Sequence, residues 1–166
     1  MASVASVTTT ALLDLLTAET SGVTARLWAR LRESDKTIGE LVTPRIIEGN
    51  VAAETFDKAQ GGKYPQIVVF CERVKNAMAE KFNRFSGTAD LVVEVRHSQD
   101  RIEELEQRTQ LFTEAVLSVL EDSRGEWAQG VYYTGEYEVK FEQVKHGGRN
   151  LLQTARVKVP VTVRIN

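Results

Sequence analysis

Any chemistry in this chain would start at His97, Ser98 and Asp100, which fall within four positions of one another, or at Cys71, its one cysteine. A histidine near a hydroxyl or thiol and a carboxylate is the raw material of a nucleophile with its general base, so a small hydrolase using His97 with Asp100 or Cys71 is one reading. The local pattern argues against it. No G-x-S-x-G elbow is present, and Ser98 or Asp100, just ahead of an apolar-periodic run, is placed to cap a helix. His97, His146 and Cys71 lack the spacing of a zinc or haem motif, so no metal is expected. Gly61-Gly62-Lys63 lacks the upstream glycine and downstream Ser or Thr of a phosphate-binding loop, and no G-x-G-x-x-G follows a strand, so no cofactor is expected. Glu103, Glu104 and Glu106 read as carboxylates that favour a helix N-terminus. The expectation is a protein that is not an enzyme.

The elements that would position these groups begin with helix over Thr8–Ser34. Leu12, Leu13, Leu15, Leu16, Val23, Leu27, Trp28 and Leu31 follow helical spacing, and Ser21 and Gly22 allow either one weakened helix or two. Asp35 to Lys63 has no clear period and one short extended candidate, Arg45-Ile-Ile-Glu, so it reads as a long connecting arm. Tyr64–Cys71 reads as a buried strand that places Cys71 in the core. Glu72–Ser86 fits either extended or helical structure. Leu91–Arg96 alternates as a strand, with Glu94 and Arg96 opposite Leu91, Val93 and Val95. Asp100 with Glu103 then reads as a capping pair opening a helix that runs to Asp122.

The last forty residues carry the clearest pattern. Val131, Tyr133, Gly135, Tyr137, Val139 and Phe141 share one face of a strand, and Leu151, Ala155, Val157, Val159, Val161, Val163 and Ile165 share one face of the next, with a turn at His146–Asn150. Both apolar sets are odd-numbered, so opposed residues must share parity and the loop between must be odd unless a bulge intervenes. A centre at Gly147 opposes Glu138 to Arg156 and Glu136 to Lys158. A centre at Gly148 opposes Glu138 to Lys158. The resulting ladder of Glu136, Glu138, Arg156 and Lys158 is either a solvated face of weak ion pairs or a mixed-charge surface for a neighbouring subunit. In order, these elements predict a single α+β domain over 1–166, with 35–63 as the arm and a mostly antiparallel sheet of about four strands with helices packed on one face.

Composition bounds the rest. A chain of 166 residues with 42% hydrophobic and 27% charged residues can build one core. A formal charge of −2 disfavours duplex nucleic acid as the main ligand. One cysteine forms no internal disulfide, which fits a reducing compartment. Met1-Ala-Ser-Val-Ala-Ser-Val lacks the basic-then-apolar pattern of an export signal, and no window reaches about 18 uninterrupted apolar residues, so neither standard export nor a membrane partner is expected.

Four stretches carry a resemblance: Tyr64-Pro-Gln-Ile-Val-Val-Phe-Cys-Glu-Arg-Val, Lys81-Phe-Asn-Arg-Phe-Ser-Gly, Val93-Glu-Val-Arg-His-Ser-Gln-Asp-Arg and Val144-Lys-His-Gly-Gly-Arg-Asn. From Tyr64 onward the chain resembles a group of small tail-region proteins of tailed phages and prophages. Its size and element order are similar to those of the tail terminator family of long-tailed phages. That resemblance implies a structural virion protein, assembled in the host cytoplasm and located at the tail and neck. It implies a homo-oligomeric ring, a hexamer, that caps the tail tube protein and joins it to the head–tail connector protein, with DNA passing through without specific binding. Under that reading, subunit or partner contacts are expected at Arg45, Glu48, Glu136, Glu138, His146, Arg149, Arg156 and Lys158. A connector stopper or adaptor, a tail tube subunit, and a partner-binding regulatory module are the alternatives.

Overall fold

The computed structural model describes residues 3–33, 42–55, 63–147 and 150–166. The N-terminal helical segment is two helices, α1 (Val4–Thr17) and α2 (Val23–Glu33). Ser3 caps the first, its Oγ accepting the Ser6 N–H at 3.2 Å. Gly22 makes the break possible, because a Cβ there would meet the Ala18 carbonyl oxygen at 2.4 Å.

Eight strands form one sheet: β1 (Arg45–Glu48), β2 (Gln66–Asn76), β3 (Phe85–Gln99), β4 (Gly125–Ala128), β5 (Val131–Tyr133), β6 (Glu138–Phe141), β7 (Lys145–Gly147) and β8 (Asn150–Ile165). Its order is β1-β2-β3-β8-β5-β4, with β6 and β7 also on β8. The chain is α+β overall, but the expected sheet of about four mostly antiparallel strands is overturned by a curled mixed sheet of eight. Two causes account for the difference. β1 runs parallel to β2, from Arg45 opposite Gln66 to Glu48 opposite Val69, which requires the long return connection between them. The expected strand over Val131–Phe141 is also broken, since Gly135 at φ +101 turns the backbone and separates β5 from β6.

β3 and β8 pair along fifteen residues, from Phe85 opposite Ile165 to Gln99 opposite Leu151. β8 then takes β5, β6 and β7 in succession on its other edge. Strands of this length, roughly 50 Å at about 3.4 Å per residue, accumulate twist, and the sheet curls. Against β6 the centre at Gly148 holds, with Glu138 opposite Lys158. β7 is shifted by one residue, with Gly147 opposite Asn150, so a bulge does intervene and the terminal loop is even.

The third helix, α3 (Leu105–Glu121), starts later than its sequence suggests. Gln99 Nε2 donates to the carbonyls of Arg101 at 2.7 Å and Glu103 at 2.6 Å, holding this stretch as a turn, and Glu104 lies at φ 64 without a side-chain cap. Asp100 and Glu103 are therefore not a capping pair. α1, α2 and α3 lie on one sheet face, where Leu12, Leu16, Leu27, Phe112, Val116 and Leu120 pack with odd-numbered residues of β2, β3 and β8. Full burial of side chains such as Phe112 contributes about 1.5–3 kcal/mol each. The arm expected over 35–63 contains β1 in its described part, while its residues 35–41 and 56–62 lie outside the described residues.

Candidate functional site

The sheet face turned away from α1, α2 and α3 carries the even-numbered side chains of β3 and β8, and it is where charge collects. Beneath the charges, Val68, Phe70 and Val92 form a small second cluster with Ile47. Pairing between β2 and β3 slips between Cys71 and Arg73, leaving Glu72 as the extra residue of a bulge. The slip places Phe70 and Arg73, of opposite parity, on this same face, opposite Val92 and Asp90.

A run of alternating charge crosses three strands here. The Arg156 guanidinium lies 5.8 Å over the Phe70 ring, donates to Glu94 at 3.2 Å and pairs with Glu72. Lys158 Nζ stands 3.9 Å from Glu72. Arg96 closes the run: its Nη2 meets Glu94 at 2.6 Å and the Val51 carbonyl at 2.6 Å, and its Nη1 donates to Gln66 at 3.3 Å. Arg73 pairs with Asp90 at 2.6 Å.

The two ends of this run differ in character. Arg96 is 3% exposed and Glu94 15%, so this pair is desolvated, and each charge depends on the other's presence. Arg156, Glu72 and Lys158 keep 30%, 38% and 45% of their side-chain surface, so those pairs are screened and contribute at most about 1 kcal/mol each.

Two cavities flank the network. One of about 250 Å³ lies between the Asn50–Glu54 segment and Glu94, Arg96, Glu142 and Lys145. There Lys145 donates to Glu54 at 2.9 Å, and this bond holds the Glu54 carboxyl below its ordinary value and the Lys145 ammonium above its own. The other, of about 230 Å³, is lined by Arg73, Asp90, Glu136, Glu138 and Lys158.

The residues expected as contacts are thus only partly brought together. Arg156 and Lys158 sit in the network, Glu138 directly opposes Lys158, and Glu136 reaches the second cavity from the turn before β6. Arg156 opposes Lys140, so its acidic partners come from β2 and β3 instead of β6. Arg45 and Glu48 are exposed at the two ends of β1. His146 is exposed in β7, and Arg149 lies outside the described residues. Glu72, Arg73 and Asp90 were missed because the bulge that aims the first two leaves no trace in the alternation.

The structure separates His97 from Cys71, one of the two partners the hydrolase reading gives it. His97 is 7% exposed, edge-on to Phe112 with ring centroids 5.5 Å apart, and burial pushes its pKa down. Cys71 opposes Leu91, six residues along β3 from His97, or roughly 20 Å at about 3.3 Å per residue. Cys71 is only partly buried, where a core position was expected, and desolvation raises its thiol pKa. Among the described residues no three His, Cys, Asp or Glu side chains gather as a metal-ligand set. No helix among them is long and apolar enough to cross a membrane. The open face presents paired charges of both signs over a small apolar floor. The chain matches no known protein-family model, and its sequence matches no curated protein.

Proposed function

We propose that this chain is a structural virion protein, a tail terminator whose copies form a ring that caps the tail tube and joins it to the head–tail connector. The observation that carries this reading is the long face of β2, β3 and β8 turned away from α1, α2 and α3, with its alternating charges. Strands this long and rich in paired charge suit a surface that meets a neighbour in a fixed register. Head-to-tail contacts between copies close into a ring when the rotation between them fits. A chain of formal charge −2 also suits a channel through which DNA slides, because few net cations limit phosphate attraction. The resemblance supplies the tube and the connector as partners.

Light scattering across concentration, on the protein alone and with the cognate tail-tube protein, tests the proposal. The expected result is a species of about six 18.5 kDa chains, or a monomer that becomes a ring only on tube ends. A stable monomer or dimer indifferent to tubes would overturn it.

A further inference from the structure

The most exposed large apolar side chain among the described residues is Phe82, at 99%, on the connection between β2 and β3. Met78 at 54% and Val74 at 41% belong to the same hairpin. Scattered apolar residues on a surface need no explanation, but the loop that carries this one is tied at several points. Asn76 Oδ1 accepts the N–H groups of Met78 at 3.1 Å and Ser86 at 3.2 Å, tying the two sides of the loop together. Asn83 closes a turn onto Glu80, through its N–H to the Glu80 carbonyl at 3.3 Å and its amide to the Glu80 carboxylate at 2.7 Å. Glu80 is anchored in turn by Arg164 near the end of β8 at 3.1 Å. Met78 lies at φ 49, a left-handed conformation that a non-glycine residue adopts only when its surroundings impose it. Phe82 therefore stands on a pre-organised tip, and seating it costs little ordering entropy.

A groove of about 470 Å³ lies elsewhere on the same chain, between α1 and β4. Val7, Ala11, Leu15, Trp127 and Ala128 give it apolar walls, and Asp14 adds a single carboxylate. Its volume is in the range of sites that take a ring-sized apolar group, about 300–1,000 Å³. The tip carries Lys81 and Arg84 around Phe82, so the knob is cationic where the groove is anionic.

We propose that the β2–β3 tip of one copy seats Phe82 in the α1–β4 groove of a second copy of this chain, with Lys81 or Arg84 meeting Asp14. Knob and groove are different patches of one surface, so the contact repeats head to tail. Closure into a ring rests on the terminator reading, whereas the contact itself does not.

The experiment uses two full-length variants at exposed positions, Phe82→Ser, which removes the knob, and Thr10→Trp, which fills the groove. Each alone is expected to run at monomer mass in light scattering with an unchanged circular dichroism spectrum. Mixed, they should regain a two-chain species, because Phe82→Ser keeps a groove and Thr10→Trp keeps a knob. A Phe82→Ser protein that still forms the wild-type assembly, alone or on tube ends, or a mixture of the two variants that does not associate where the wild type does, overturns the contact and leaves the ring reading standing. A closed wild-type dimer lost in Phe82→Ser means that two copies exchange knobs reciprocally, which upholds the seating of Phe82 in the groove and overturns both the head-to-tail repeat and the ring. A wild-type chain that is monomeric both alone and with tubes overturns both.

Discussion

The same three strands present two unlike faces. On one, odd-numbered Leu91, Val93, Val95, Val157, Val159 and Val161 lie under three helices at 2% exposure or less. On the other, Glu72, Glu94, Arg96, Arg156 and Lys158 stand over the small apolar floor of Val68, Phe70 and Val92, away from α1, α2 and α3. The covered face is held by area removed from water, which is non-directional and tolerates small shifts of its parts. The open face is held by directional contacts whose partners come from three strands, and it keeps its specificity only while the register of those strands is kept. Stability should therefore reside on the first face and recognition on the second.

The largest expected effect is on the covered face. Phe112 is 1% exposed between α3 and the sheet, and Phe112→Ala removes a ring that its neighbours replace only in part. The expected loss is about 3–5 kcal/mol, read as a lower urea midpoint at unchanged slope. A loss under about 1 kcal/mol would mean that the helices are not what stabilises the sheet, and the contrast between the faces would fail.

A smaller effect tests a polar weakness of that face. Tyr133 is 2% exposed and its hydroxyl is buried with no hydrogen-bond partner. Burial first, then the neighbouring Tyr137, push its pKa up to about 12. An unfolded chain ionises this phenol near pH 10, before the folded one does. Its contribution to stability is thus complete below about pH 10 and is lost as pH rises towards 12, on the order of 2–3 kcal/mol in all. Tyr133→Phe should flatten that loss in urea titrations at pH 9, 10 and 11. An equally steep alkaline loss in the variant would assign it to other groups.

Much of the covered face is legible in the residues themselves. The alternation through Leu91, Val93 and Val95 and through Val157 to Ile165 marks the buried side, and Ser21-Gly22 marks the break between α1 and α2. The open face is far less legible, for a physical reason. Glu94 and Arg96 stand out as charges within an apolar strand, but their partners at Gln66, Val51 and Arg156 are set by pairing between distant segments. Glu72 depends on a bulge, and bulges are written in the partner strand as much as in their own. Gly135 sits in a pattern whose alternation continues straight through it, so only its positive φ shows that β5 and β6 are separate. Gln99 displaces the start of α3 through a side-chain amide that binds two carbonyls, a contact that periodicity does not encode.

The smallest expected effect on stability is the sharpest test of the comparison. Arg156 pairs with Glu72 and Glu94, yet its side chain is 30% exposed and Glu72 38%, so water and salt screen much of the attraction. Arg156→Met keeps an unbranched chain over the Phe70 ring while removing the charge. The urea midpoint should move by less than about 1 kcal/mol, and that difference should shrink further at high salt. Self-association and tube binding, measured by light scattering on the same sample, should fall much more, because the variant breaks the alternating run at its middle. A fold that loses 3 kcal/mol or more would make this face as structural as the covered one. A variant that folds and assembles like the wild type would leave the charges as a solvated surface, and recognition would have to be sought at the Phe82 tip instead.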